Sequence, residues 1–326
     1  EGLRLDRGID RFGGPGRSGV VSAATESLTR LRDQAGSLAN DEPGWIETLR
    51  RDAFAIFEEQ GFPTRRLESW KGTNLSTVEA FDFQRVATEE TNPVVVTGDG
   101  APVLDFVDGR LETANSQAAN LPQGVRLTSL AEARRQSPER LEGKLGALAD
   151  PKNSALVALQ TAFLDDGAVL MIDADTQLDS PIRLRFAVSA TSEAIPTACF
   201  PRLLVVAGER SRASLVLEHE TRAVAPEPGT ESSPPIDPGS VRAPGFTAFV
   251  AEYHLGAGAQ VETVQVQDED VSRIHFTSTH ARLDAEAHFD SHVFSLSPGL
   301  VRGELDIVLA EPGASARMHG FFLGRG

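Results

Sequence analysis

Seven histidines, one cysteine and three groups of carboxylates are the residues of this chain best equipped for chemistry. The histidines are His219, His254, His275, His280, His288, His292 and His319, and four of them fall between 275 and 292. Such density invites a metal, because neutral imidazole is a common ligand. Parity along a strand tests the idea. In "RIHFTSTHARL", His280 shares parity with Ile274 and Phe276, whereas His275 points the other way. His288 and His292 do share a face, but their Cβ atoms are about 13 Å apart at the rise of a regular strand. They are the candidate metal ligands, and they need a bulge to reach one ion. Ordinary polar strand positions are the plainer reading.

The 47 acidic residues are densest at Asp165–Asp166, at Asp173 and Asp175, and at Asp268–Glu269–Asp270. Enzymes that cleave polysaccharides on a β-helix use such groups with calcium or as acid/base pairs. All three groups sit at expected turns, where carboxylates bond the local backbone. A β-helix polysaccharide-active enzyme using Asp173, Asp175 or Asp268 is therefore the alternative reading. With one Tyr and two Trp, aromatic residues for stacking sugars are few.

Cys199 is the single cysteine. A disulfide framework, a zinc ribbon and a four-thiolate cluster held by this chain alone are excluded. Its setting, "TACFPRLLVV", makes it a small buried hydrophobe at the mouth of an apolar strand. "GGPGRSG" at Gly13–Gly19 lacks the Lys-Ser/Thr pair of a phosphate loop, and no nucleophile elbow or zincin helix is present. Catalytic and cofactor-binding residues are therefore expected to be none. Any ATP dependence would belong to a partner. The net charge of −16 repels nucleic acid. No apolar run nears the roughly 18 residues that cross a bilayer, and the N-terminus has no secretory h-region, so a cytoplasmic protein is expected.

These residues must be positioned by elements of two kinds. Residues 1–19 read as a disordered leader. An N-terminal helical domain over 20–92 follows, with Val21, Ala24, Leu28, Leu31, Ala35 and Leu38 on one helix face and Trp45, Leu49, Ala53 and Phe57 on another. Gly61 caps the second helix and Pro63 stops it. A mixed α/β connecting region runs over 93–150, with a capping box at Ser129 and Glu132. Pro151 behind Asp150 opens a helix that places Leu156, Leu159 and Phe163 on one face. From Asp166 onward, strands such as "IRLRFAVS" alternate apolar and polar residues. Their turns, "GERSRAS", "GAGAQVE" and "EPGASARM", recur loosely, which suits stacked coils. A sandwich would also use short alternating strands, so both architectures stay open at this point. Ala225–Gly245, rich in Pro, Ser and Gly, reads as a solvated insertion.

One stretch remains: "GFPTRRLESWKGTNL", Gly61–Leu75, which begins where a helix stops. Pro63, Thr64, Arg65, Arg66, Glu68, Trp70, Lys71, Thr73 and Leu75 resemble the N-terminal signature of the SufB/SufD family, and of its SufD branch in particular, which are scaffold subunits of the SUF iron–sulfur cluster assembly machinery. Gly72 stands where that signature has Tyr. Leu156–Phe186, "PRLLVVAGERSRASLVLEH" and "LVRGELDIVLAEPGASARMHGFFLGRG" are similar to the family's later blocks, so the likeness spans roughly residues 45–326. The resemblance implies a mainly β fold, a right-handed parallel β-helix over 151–326 behind a small α-helical domain. It implies a non-catalytic scaffold with two partners, a SufB-like scaffold and a SufC-like ABC ATPase. A homodimer stays open. Family members continue into coils carrying cluster-linked His and Cys and into helices that bind the ATPase. The chain thus reads as lacking the family's C-terminal part, and an iron–sulfur cluster would be shared with a partner in the full-length complex. The motif itself is expected to be architectural, with Trp70 buried and Arg65 and Arg66 bonded to carboxylates or carbonyls.

Overall fold

The computed structural model describes residues 30–38, 43–75, 78, 83–85, 102–113, 116, 121–190, 196–223, 244–297 and 299–324. The expected leader, the start of the 21–38 helix, the strand near 94–100 and nearly all of the Ala225–Gly245 insertion lie outside them.

Helix α1 (Gly44–Gln60) ends where Gly61 takes φ 65° and returns its N–H to the Phe57 carbonyl at 2.7 Å. Its buried face is Ile46, Arg50, Ala53, Phe54 and Phe57. Trp45 and Leu49, expected on that stripe, are only partly buried and pack on a separate cluster with Leu130, Leu141 and Leu145. The helix is wedged between two cores, so its apolar residues divide between two flanks. Helix α2 (Leu130–Gln136) is capped by Ser129, whose Oγ accepts the Glu132 N–H at 3.1 Å. The Glu132 carboxylate takes the Thr128 hydroxyl at 2.8 Å instead of closing the box. Asp150 caps the Pro151–Asn153 turn that leads into α3 (Ala155–Ala162). All eight α3 residues are buried, not one face, because α3 lies between α1 and the sheet that carries residues 245–255.

Fifteen strands follow among the described residues: β1 (Gln84–Arg85), β2 (Val103–Val107), β3 (Arg110–Leu111), β4 (Val125–Ser129), β5 (Gly167–Ile172), β6 (Ile182–Ala190), β7 (Thr197–Cys199), β8 (Arg202–Ala207), β9 (Arg212–Ala223), β10 (Gly245–Leu255), β11 (Gln260–Asp268), β12 (Arg273–Leu283), β13 (His288–Ser295), β14 (Leu300–Leu309) and β15 (Ser315–Phe322). The chain is mainly β, in two sheets. One runs β1-β7-β10-β8-β5-β4, with β12 beyond β10 and β14 beyond β12; the other runs β15-β13-β11-β9-β6-β2-β3. Beyond β8, consecutive strands go to opposite sheets, and each pairs in parallel with the strand two places on. Among the described strands only β2–β3 and β4–β5 are antiparallel. Hairpin-linked sandwich strands would pair antiparallel with their immediate neighbours instead. β7 and β8 meet the two ends of β10 and are separated at Pro201, which cannot donate to a ladder.

A core fills the space between the sheets, with Leu184, Phe186, Leu217 and Phe289 from one and Leu203, Val205, Phe249 and Tyr253 from the other. A second core lies on the outer face of the first sheet, where α1, α3, Trp70, Leu75 and Phe83 cover Phe246, Ala248, Val250 and Phe276.

The loosely recurring turns prove to be stacked. The Asp175 N–H bonds to the Glu209 carbonyl, Arg210 to Ala257, Gly258 to Ala285 and Glu286 to Pro312. The five residues Asp175, Arg210, Gly258, Glu286 and Gly313 all have positive φ, so one left-handed position repeats down the column. Only two are glycine, which is why the repeat looked loose in sequence.

Candidate functional site

Three groups of side chains bear on function, and the buried one is largest. Glu269, at the end of β11, turns in between the sheets. It accepts a hydrogen bond from His275 Nδ1 at 2.7 Å and from the Thr247 hydroxyl at 2.8 Å. His275 Nε2 pairs with Thr277 Oγ1 at 2.7 Å, and Gln265 donates to the same hydroxyl at 3.2 Å. Arg273 donates to Thr247 at 3.0 Å and lies 3.8 Å from Cys199 Sγ. Sequence parity separated His275 from His280, and the structure does so too. His280 sits on the opposite face, in a row between Glu252 and Asp306.

The electrostatics follow from burial and pairing. Burial pushes Glu269 up, but attraction to and hydrogen bonding from His275, with Arg273 beside it, outweigh burial and bring its carboxyl down to about 2. His219 projects from β9 against the His275 ring, with centroids 4.8 Å apart, and stacks on Phe186 at 5.3 Å. Neither of its ring nitrogens has a hydrogen-bond partner. Burial, with repulsion from His275 second, depresses it to about 3. Cys199 is buried, and that burial pushes its thiol up to about 12 despite Arg273. A cavity of about 10 Å³ against it, room for roughly one water, is lined by Asp108, Asp165 and Phe200 among others. The thiol is therefore protonated and enclosed, as the small-hydrophobe reading expects.

The second group is the Gly61–Leu75 motif. Trp70 is buried and stacks on Phe276 of β12 with centroids 6.3 Å apart. The Arg302 guanidinium of β14 lies 3.9 Å over the Trp70 ring and also reaches Thr73 Oγ1 at 3.3 Å. Arg65 Nε donates to the Lys71 carbonyl at 3.1 Å, and Lys71 pairs with Glu68 at 2.7 Å. Arg66 is exposed. A Cβ at Gly72 would meet open space, so this site has room for the side chain the signature carries there. The motif thus bolts the helical layer to the first sheet.

Third are the carboxylates and the exposed histidines. Asp166 is buried and accepts backbone N–H groups from Leu111, Ala131 and Gly167. Asp175 pairs with Arg210 at 2.7 Å at the turn column, which holds its carboxyl below the usual range. Asp268 is exposed while Glu269 turns inward, and Asp270 bonds Ser272. The acids disperse into local turn chemistry, and the polysaccharide reading finds no support in this arrangement. His288 and His292 lie on the outer face of the second sheet, each with its own neighbour. His288 Nδ1 meets Ser315 Oγ at 2.6 Å, and His292 stacks on His319 at 5.0 Å. No group of three or more His, Cys, Asp or Glu able to hold a metal occurs among the described residues.

Sequence reasoning missed one further site. Arg202 and Glu252, both buried, pair at 2.6 Å. Arg202 also donates to Gln160 at 2.6 Å, while Glu252 accepts the N–H groups of Gly146, Leu148 and Ala149. Burial raises Glu252, and Arg202 with these donors more than reverses it. The available signal was an arginine opening an otherwise apolar strand.

Comparison with known proteins bears on the whole chain. A model described as the SufBD protein N-terminal region matches residues 23–184, and one described as the SUF system FeS cluster assembly SufBD core domain matches residues 187–326. An iron–sulfur cluster assembly SufBD family protein of Synechocystis is 25% identical over 291 residues, covering 88% of this chain and 61% of its own length. A chloroplastic protein of Arabidopsis thaliana with the same family description is 23% identical over 256 residues, covering 71% of this chain and 41% of its own. The chain thus spans less than two thirds of these relatives. No helix among the described residues is long and apolar enough to cross a membrane.

Proposed function

The chain belongs to the SufBD family of the SUF iron–sulfur cluster assembly system, and on that premise we propose that it is a non-catalytic scaffold of the SufD kind. In this reading residues 151–326 form a right-handed parallel β-helix behind a small helical N-terminal domain. What supports the coil reading is the alternation of strands between two parallel sheets, with one left-handed turn position stacked rung on rung. The working unit is a complex with a SufB-like scaffold and a SufC-like ATPase in the cytoplasm, with a homodimer as the lesser alternative. The SufD assignment over SufB rests on the Trp70–Lys71–Thr73 signature.

The observation that carries the scaffold reading is the state of the one thiol. A cysteine ligates a cluster as its thiolate, and Cys199 is enclosed and held protonated. Within residues 1–326, then, no cysteine thiolate is available to a cluster, which fits a cluster shared with a partner in the full-length complex. The test is affinity purification of the full-length protein from its own cells. A SufB-like subunit and an ABC ATPase in stoichiometric yield are expected. Recovery of the protein without either overturns the reading.

A further inference from the structure

We propose that His292 and His319 form a two-imidazole site for a divalent transition-metal ion such as Cu2+ or Ni2+ on the outer face of the second sheet. The two residues are direct register partners on the neighbouring parallel strands β13 and β15. Their rings are stacked 5.0 Å apart with 9° between planes. His292 Nε2 lies 3.7 Å from the Glu262 carboxylate on β11, which makes the spot attractive to a cation. The neighbouring cation, Arg317, is neutralised by Asp290 at 3.0 Å. Both rings face solvent, with the His292 side chain 32% exposed and His319 more so.

The other five histidines are committed or enclosed. His275 is held by Glu269 and Thr277, His280 by Ser278, His254 by the Lys144 carbonyl and His288 by Ser315. His219 is buried between the sheets. His292 and His319 are the one pair of imidazoles in register on adjacent strands among the described residues. Metal–nitrogen bonds of about 2 Å require the two nitrogens within roughly 4 Å of each other. The ring nitrogens' lone pairs lie in the ring planes, so the stacked rings must splay about their last torsion to aim at one ion, and that torsion is broad. Imidazole suits copper, nickel and zinc, with Cu2+ bound most tightly in that series, and water completes the shell while Glu262 adds only its charge nearby.

Calorimetric titration of the tag-free chain with CuCl2 and NiCl2 tests the site. One ion per chain is expected, with copper tighter than nickel. His292→Ala and His319→Ala should each weaken binding about 100-fold, because the second imidazole acts intramolecularly. His288→Ala, on the same strand and face but paired with Ser315, should change nothing. Copper electron paramagnetic resonance should show nitrogen coupling from two imidazoles, reduced to one in either active variant. All three side chains are at the surface, and circular dichroism checks that each variant folds. Absence of binding, equal loss in His288→Ala, or nitrogen coupling indifferent to His319→Ala overturns the proposal.

Discussion

His219 shows how far a setting can move a side chain from its ordinary behaviour. It is an imidazole with unpaired nitrogens, stacked among Phe186, Phe249 and His275. Its folded pKa of about 3 lies below the unfolded value near 6.5, so the unfolded chain binds the proton first. Its contribution to stability is complete above pH 6.5 and is lost as pH falls from there toward 3. Glu269, at about 2 when folded, adds a second loss as pH falls from the ordinary Glu range near 4 toward 2. Urea titrations should therefore show stability falling below pH 6.5. In His219→Phe the part between 6.5 and 4 should become shallower, with His254 and His280 still depressed by burial. Stability at pH 5 should fall less from its pH 7 value by roughly 2 kcal/mol, at about 1.36 kcal/mol per unit below 6.5. An unchanged slope in that window would refute the assignment. At this scale the sequence separated His275 from His280 by parity. It paired His292 with His288 only because both stand on one strand, since register with β15 is invisible along the chain.

Elements carry the next level of order. Helix caps at Gly61, Ser129 and Asp150 were readable because each acts within a few residues. The turn column was only half readable, since Asp175, Arg210 and Glu286 occupy the same left-handed position as Gly258 and Gly313. A side chain there is strained. Arg210 has its Asp175 partner in return, while Glu286 at φ 56° has no ion pair among the described residues. Glu286→Gly should therefore stabilise the protein by about 0.5–1 kcal/mol, the relief of a left-handed Cβ less the added chain entropy. Arg210→Gly should gain less, because it gives up the ion pair. Chemical denaturation of the two variants side by side checks the order, and a reversed order would remove the argument.

For the whole molecule, one contact that joins the helical layer to the strands runs through Trp70. It links the motif to Phe276 on β12 and Arg302 on β14. Trp70→Ala should cost about 3–5 kcal/mol as a large-to-small core change. Arg302→Ala should cost about 1–2 kcal/mol through the lost cation–π contact and the Thr73 bond. The double variant should cost less than the sum by about 1 kcal/mol, since both act on one contact. Strict additivity in urea melts would show that the two do not act together.

By itself the sequence determined that Gly61, Ser129 and Asp150 cap helical segments, which residues of a strand face together, and that the motif marks an anchor. These follow from local sterics and two-residue alternation, which operate within a few residues. Only the tertiary structure decided that His219 meets His275, that Arg202 meets Glu252, that Arg302 covers Trp70 and that His319 stands beside His292. Those contacts depend on register between strands or segments far apart in the chain, and no local rule carries that register.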